Sequence, residues 1–312
     1  MSRYLVTGAG TIGSLVAGLL AGRGDEVVLV SRSGRGPDHP LVTRLALDAT
    51  DADRLSEAAL GAAALIDCTN PAYHRWVTDF PPLAAAALTA AERSGAVIVA
   101  LSNLYAYGPP TGPMRPDDPQ GSTLPKAQVR ARIWQDLLAA HEAGRVRAAE
   151  VRAADFVGPH AESPLGERVV PRILAGKPVK VLGDPDAIRS FSYTADVART
   201  LVACADDERA WGRPWHAVTN APLSQRQAVD DLADAAGVGH VQVGGLPPAL
   251  LAVAGLFNSG IREIRKVGYQ FTDDFVIDDG ETRSELGLEP TPWPEVMATT
   301  VASFASPAAV PA

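Results

Sequence analysis

The sequence predicts an α/β protein: a doubly wound parallel sheet with helices on both faces, followed by a smaller C-terminal lobe. Three observations carry this. Short apolar runs alternate with longer Ala/Leu-rich stretches through the first half of the chain. The runs are apolar throughout rather than alternating in polarity, as strands buried on both faces are. After Phe156 the pattern loosens into Pro/Gly-rich loops and short helices.

Tyr4–Thr7 (YLVT) reads as the first strand, followed by GAGTIG and a helix running to about Gly22. EVVLVS (26–31) is the second strand, RLALD (44–48) the third and AALIDCT (63–69) the fourth. A helix over about Leu83–Ser94 leads to the fifth strand, AVIVALS (96–102). A further helix over about Lys126–Ala143 precedes the sixth, AAEVRAA (148–154).

Gly8-Ala9-Gly10-Thr11-Ile12-Gly13 is G-x-G-x-x-G between a strand and a helix, the context in which that spacing binds a dinucleotide. The first glycine makes the tight turn, the second admits the pyrophosphate, and the third lets the helix pack on the strand. The free N–H groups of the helix N-terminus favour the anion. Gly8, Gly10, Thr11, Ile12 and Gly13 are therefore the expected pyrophosphate contacts of a Rossmann-type unit. That unit is expected over residues 1–155, completed by about 190–220. Residues 156–189 and 221–312 would form the smaller substrate-binding lobe.

The second strand ends in Ser31, Arg32 and Ser33, where an NAD enzyme places an Asp or Glu for the ribose 2′-hydroxyl. Arg32 can instead meet a 2′-phosphate through charge-assisted bonds. The expected cofactor is NADP(H), with NAD(H) the other option, and a solvated loop arginine is the plainer reading. Asp48 is placed for the adenine edge or for a turn in DATD. Thr69 and Asn70, ending the fourth strand, should lie along the cofactor.

The chain of 312 residues carries a net charge of −8, with 46% hydrophobic and 21% charged residues. That balance fits a soluble globular protein and argues against nucleic acid as a partner. The segment 246–257 is too short and too proline-broken to span a bilayer. The chain enters its first strand directly, so a cytoplasmic location without a signal peptide is expected, with no membrane partner. Cys68 and Cys204 sit in apolar segments and read as buried thiols, and no Cys/His pattern points to a metal.

Seven segments together resemble the extended short-chain dehydrogenase/reductases in their atypical branch. They are the glycine loop, LALDATD (45–51), ALSNLYAYG (100–108), the Lys126 helix, VRAADFVGP (151–159), IRSFSYTADVA (188–198) and SELGLEPTPWPE (284–295). The resemblance implies hydride transfer with a nicotinamide cofactor by a monomer or homodimer. The departures bear on the chemistry. The loop is one residue shorter than the group's T-G-x-x-G-x-x-G. The group's catalytic Ser or Thr falls on Asn103, with Ser102 beside it. Its Tyr-x-x-x-Lys falls on Lys126 and Arg130.

The group's tyrosine gives a proton to the carbonyl oxygen as hydride reaches carbon. Lys126 can offer a cation to that oxygen instead. Asn103 can donate a hydrogen bond without giving up a proton. Arg130 stays charged and suits ribose hydroxyls. Both cations can equally decorate a helix face.

Asp155 stands where nucleotide-sugar enzymes of the group carry a diphosphate-binding Asn. Arg189 matches a phosphate-binding arginine, or pairs structurally with Asp155 or Asp196. Tyr73, Trp76, Tyr105 and Phe156 offer a flat apolar wall, or fill the core between lobes. Leu250–Phe257 would form an apolar lid.

The resulting expectation is an NADPH-dependent ketoreductase acting on a bulky aromatic, polyketide-type substrate, like the atypical ketoreductases of antibiotic tailoring. A substrate phenol or water would supply the proton in place of the missing triad. The alternatives are a non-catalytic NADP(H)-sensing regulatory protein and a nucleotide-sugar epimerase or dehydratase.

Overall fold

Strand Arg3–Thr7 (β1) lies inside a seven-stranded, wholly parallel sheet. The other strands are Glu26–Ser31 (β2), Val42–Ala46 (β3), Ala64–Asp67 (β4), Val97–Asn103 (β5), Arg147–Ala153 (β6) and Pro214–His216, in the order 214–216, β6, β5, β4, β1, β2, β3. The computed structural model describes residues 1–247, 256, 263 and 265–305. The expected lid over 250–257 lies outside these, apart from the exposed Leu256. The doubly wound α/β fold is present as the apolar runs predict.

Helix Thr11–Gly22 (α1) and helix Thr194–Asp206 pack together on one face, over Val6, Val97, Val99 and Val151. Helices Ala52–Ala59 (α2), Trp76–Ser94 (α3) and Pro125–Glu142 (α4) cover the other face, over Leu5, Leu65, Ile98 and Ala100. Neighbouring strand residues thus feed two different cores, which is why each strand is apolar along its whole length.

Two elements depart from the sequence reading. Pro214–His216 adds a seventh strand beside β6, too short and too polar to read as one. Helix α3 begins at Trp76, well before Leu83, and carries Pro81 and Pro82 inside it. Each proline removes an N–H from the helix ladder. The carbonyls that lose their partners belong to Val77 and Thr78, both exposed, where water can take them.

Beyond Ala154 a third core gathers Val157, Leu165, Ile173, Val179, Phe191, Leu232 and Met297. Short two-stranded pairs frame it: Phe191–Tyr193 with Asp155–Val157, Leu223–Ser224 with Ile188–Arg189, and Val243–Gly245 with Val179–Val181. Helix Gln225–Ala235 opens on a capping box, in which Ser224 Oγ accepts from Gln227 N and Gln227 Oε1 accepts from Ser224 N.

A buried polar network ties the sheet edge to the loop around Pro116. Arg152 and Glu150 on β6 are almost fully buried and paired at 2.5 Å. Arg152 also donates to the Tyr107 hydroxyl at 2.6 Å and to Pro116 O at 2.8 Å. His216 Nδ1 donates to the Asp278 carbonyl at 2.9 Å, so Nε2 accepts from Tyr107 at 3.0 Å. Burial holds this imidazole neutral, with its pKa pushed down to about 4.

Cys68 and Cys204 are both buried and free, and burial pushes both thiols up. Among the described residues no helix is long and apolar enough to cross a membrane.

Candidate active site

The glycine loop sits at the carboxyl end of β1. Gly8 has φ +90°, and a Cβ there would meet Cys68 O at 2.6 Å. A Cβ on Gly13 would meet Gly8 O at 1.8 Å. A Cβ on Gly10 would meet nothing within 4 Å. Two glycines are thus required by the protein's own backbone, and the middle one faces open space. Gly10 also caps α1 with no side-chain hydrogen bond. The buried Ile12 side chain leaves only its backbone for an anion. The Thr11 hydroxyl donates to His160 O at 2.8 Å, tying the loop after Val157 to the helix start. His160 holds φ 55°, an uncommon conformation for a side-chain-bearing residue.

At the end of β2, Ser31 Oγ accepts from Arg35 N at 3.1 Å and donates to Arg35 O at 3.2 Å, so it shapes its own loop. Arg32 and Ser33 are exposed, and Arg32 makes no ion pair among the described residues. Asp48 accepts from Thr50 N and Thr50 Oγ1 at 3.0 and 2.9 Å. These bonds hold its carboxyl below the usual range, with Arg32 adding to the effect. Asp48 therefore serves the turn. Thr69 N donates to Asp67 Oδ1 at 3.0 Å, and Asn70 is exposed.

Ser102 is buried at the end of β5, and Asn103 Oδ1 accepts from Tyr105 N at 3.1 Å. The Asn103 amide nitrogen keeps its donors. Lys126 and Arg130, one turn apart on α4, are 7% and 8% exposed, so neither merely decorates a helix face. Lys126 Nζ lies 3.4 Å from the centre of the Tyr73 ring and 3.2 Å from Glu263 Oε2. Burial pulls its pKa down, against the opposing pull of Glu263. Arg130 donates to Leu101 O at 3.2 Å, and its guanidinium stands 3.9 Å from the centre of the Phe80 ring. Burial lowers its pKa to about 10.

Tyr73 meets Trp76 edge-on at 4.9 Å between centroids and Tyr105 at 6.3 Å. Trp76 is 6% exposed, with Nε1 donating to Pro71 O, and so fills core rather than lining a wall. Phe156 packs against the core beneath α1. Arg189 pairs with Asp155 at 2.7 Å and donates to Gln270 O at 2.6 Å. Asp196 is instead taken by Arg199 at 2.6 Å and by Thr291.

The buried side-chain polar atoms without a hydrogen-bond partner among the described residues gather here. They include Tyr73 Oη, Arg189 Nε, Tyr269 Oη and Gln270 Nε2, whereas Gln225 Oε1 lies beside Leu182 and Asp184. Buried orphan donors mark places where a ligand or ordered water completes the bonding. Sequence reasoning missed Tyr269, Gln270, Glu263 and His160. They follow Phe156, where periodicity fails, and only the fold brings them to the sheet's carboxyl edge.

The chain matches the model of the NAD dependent epimerase/dehydratase family over residues 4–215. It belongs to that family, whose members depend on a nicotinamide dinucleotide. The glycine cradle fits such a group, since only Gly10 leaves open room at the helix start. No curated protein sequence matches the chain.

Similar solved structures include the Bordetella bronchiseptica enzyme WbmH in complex with NAD+, at 22% identity and TM-score 0.76, covering 98% of this chain and 99% of that one. UDP-glucose 4-epimerase of Thermotoga maritima, with UDP-glucose, has 20% identity and TM-score 0.77, covering 97% and 98%. A double mutant of DesIV, a dTDP-glucose 4,6-dehydratase of Streptomyces venezuelae, has 22% identity and TM-score 0.75, covering 98% and 97%. At these identities the likeness concerns the fold.

Proposed function

We propose that the protein holds NADP(H) in the glycine cradle and moves hydride to or from a carbon bearing a hydroxyl or carbonyl. The carrying observation is the cradle: backbone closes around Gly8 and Gly13, and Gly10 stays open. The exposed Arg32, with no carboxylate ending β2, supports a 2′-phosphate and hence NADP(H) over NAD(H). When bound, the cofactor supplies the hydride. The chain orients it on the helix N-terminus and presents donors to the substrate oxygen.

Family membership and the named similar enzymes support a nucleotide-sugar epimerase or dehydratase better than a reductase of aromatic ketones. The unpartnered donors of Tyr73, Arg189 and Gln270 add to that support, because a hydroxyl-rich ring offers matching acceptors. One observation favours the ketone as a second reading. Asp155 already neutralises Arg189, so the pair brings no net positive charge to a diphosphate.

The test is turnover by the cofactor-loaded protein. Conversion of UDP-glucose or dTDP-glucose supports the first reading. NADPH oxidation by aromatic ketones bearing an ortho or peri hydroxyl, but not by their unhydroxylated partners, supports the second. Tight NADPH binding with no turnover of either overturns both and favours a cofactor-sensing protein.

A further inference from the structure

We infer that Tyr73, from the loop after β4, is the acid that α4 lacks, with the Lys126 ammonium seated on its ring. This rests on the hydride-transfer reading above and adds the proton donor to it.

The assignment follows from what each of the six tyrosines is doing. The Tyr4 hydroxyl donates to Asp206 at 2.7 Å, away from the carboxyl edge of the sheet. Tyr107 is held by Arg152 and His216 in the buried network. Tyr193 lies 3.4 Å from Thr299 Oγ1 in the smaller lobe. Tyr105 is half-buried, meets Tyr73 edge-on and lies tilted against Trp76, with no cation on its ring among the described residues. Tyr73, Tyr105 and Tyr269 remain beside one another, and the buried hydroxyls of Tyr73 and Tyr269 lack a well-formed hydrogen bond among the described residues.

Only Tyr73 also meets the cation of α4, at 3.4 Å from its ring centre. It also opens the short turn Tyr73–Arg75, six residues beyond the end of β4 at Asp67, the strand whose following Cys68 flanks the glycine loop. The family pairing of phenol and ammonium is thus rebuilt from two segments, the lysine having moved to the tyrosine's own helix position. Lys126 lies over the Tyr73 ring, while the groups around its hydroxyl are Tyr105, Glu263 and Tyr269.

In the reducing direction, Tyr73 Oη gives its proton to the carbonyl oxygen as hydride arrives at the carbonyl carbon from the reduced nicotinamide. The C=O π bond breaks, and a C–H and an O–H bond form. The carbonyl is reduced and the nicotinamide oxidised. The phenolate stands beside the Lys126 ammonium and takes its proton back from water.

The experiment compares wild type, Tyr73→Phe, Tyr269→Phe and Tyr193→Phe on the substrate found by the turnover panel. Tyr73→Phe is expected to lower kcat by roughly 10²- to 10⁴-fold, the usual contribution of an acid. It should also flatten the high-pH limb of the rate profile and leave the NADPH Kd within about twofold, while Tyr193→Phe matches wild type. Near-normal kcat in Tyr73→Phe overturns the assignment alone, as does the same loss appearing in Tyr269→Phe instead. No turnover by the wild type overturns the hydride-transfer reading and the assignment with it.

A second measurement needs no cofactor. The absorbance titration attributable to Tyr73, taken as wild type minus Tyr73→Phe, should move to higher pH in the Lys126→Met background. An unchanged midpoint overturns the pairing.

Discussion

At the scale of single residues, the glycine loop separates folding from binding. Gly13→Ala forces a methyl to 1.8 Å from Gly8 O, which the strand–helix junction cannot absorb. Gly10→Ala adds its methyl to open space. We expect Gly13→Ala to lower the melting temperature sharply or prevent folding. Gly10→Ala should melt within a few degrees of wild type and yet lose most of its NADPH affinity, as scanning calorimetry and fluorescence titration would show. Equal thermal damage from both would mean that the loop is only a tight turn. Arg32→Ala should weaken NADPH by roughly ten- to a hundredfold and NADH hardly at all, the loss of one charge-assisted bond. Equal weakening of both cofactors would remove the 2′-phosphate contact from Arg32.

The loop was legible in the sequence because its glycine spacing and its strand and helix are contiguous in the chain, although Cys68 and His160 also touch it. The pairings of Lys126 with Glu263 and of Arg189 with Asp155 and Gln270 were not fixed by it, because each joins segments far apart in the chain. The sequence left Arg189 open between Asp155 and Asp196, and burial beside Asp155 decides it.

At the scale of elements, the strands of the central sheet were legible wherever burial on both faces made them apolar along their length. Pro214–His216 escaped because it carries a proline and a histidine in three residues. Its place in the sheet comes from partners on β6 and from the Tyr107 network. The early start of α3 escaped because Pro81 and Pro82 read as a break, although their unpaired carbonyl partners face water. The helix opening at Gln225 shows the opposite case, where local chemistry sets the boundary. Ser224 is 5% exposed and makes both halves of its capping box. Ser224→Ala should cost about 1 kcal/mol, read as a lowered urea midpoint with unchanged slope. No change would place the stability of that helix wholly in its packing on Val296 and Met297.

At the scale of the whole molecule, two cores flank the sheet and a third gathers beyond Ala154, with an apolar cluster of Leu104, Met114, Phe275 and Ile277 and the Arg152–Tyr107–His216 network beside the sheet edge. His216 makes that network sensitive to acid. The folded imidazole titrates at about 4, against an ordinary value near 6.5. Between those values the unfolded chain binds more protons than the folded one. Stability is therefore full above pH 6.5 and falls as pH drops toward 4, by at most about 3 kcal/mol. Urea melts at pH 7.5 and 4.5 should show this fall, and His216→Gln should show less of it. An equal fall in that variant would assign the acid sensitivity to carboxylates.

The two thiols give the molecule an internal clock. Cys68 lies against the backbone of Gly8, and Cys204 lies in the helix packed on α1. Both are sealed and held in the unreactive thiol form. A trace of alkylating reagent can mark either one only during the moments when the sheet parts from its helices. The labelling rate of Cys204 then counts openings of that face. The ratio of the two rates reports whether the nucleotide loop opens with it or separately, and added NADPH should slow Cys68 the more.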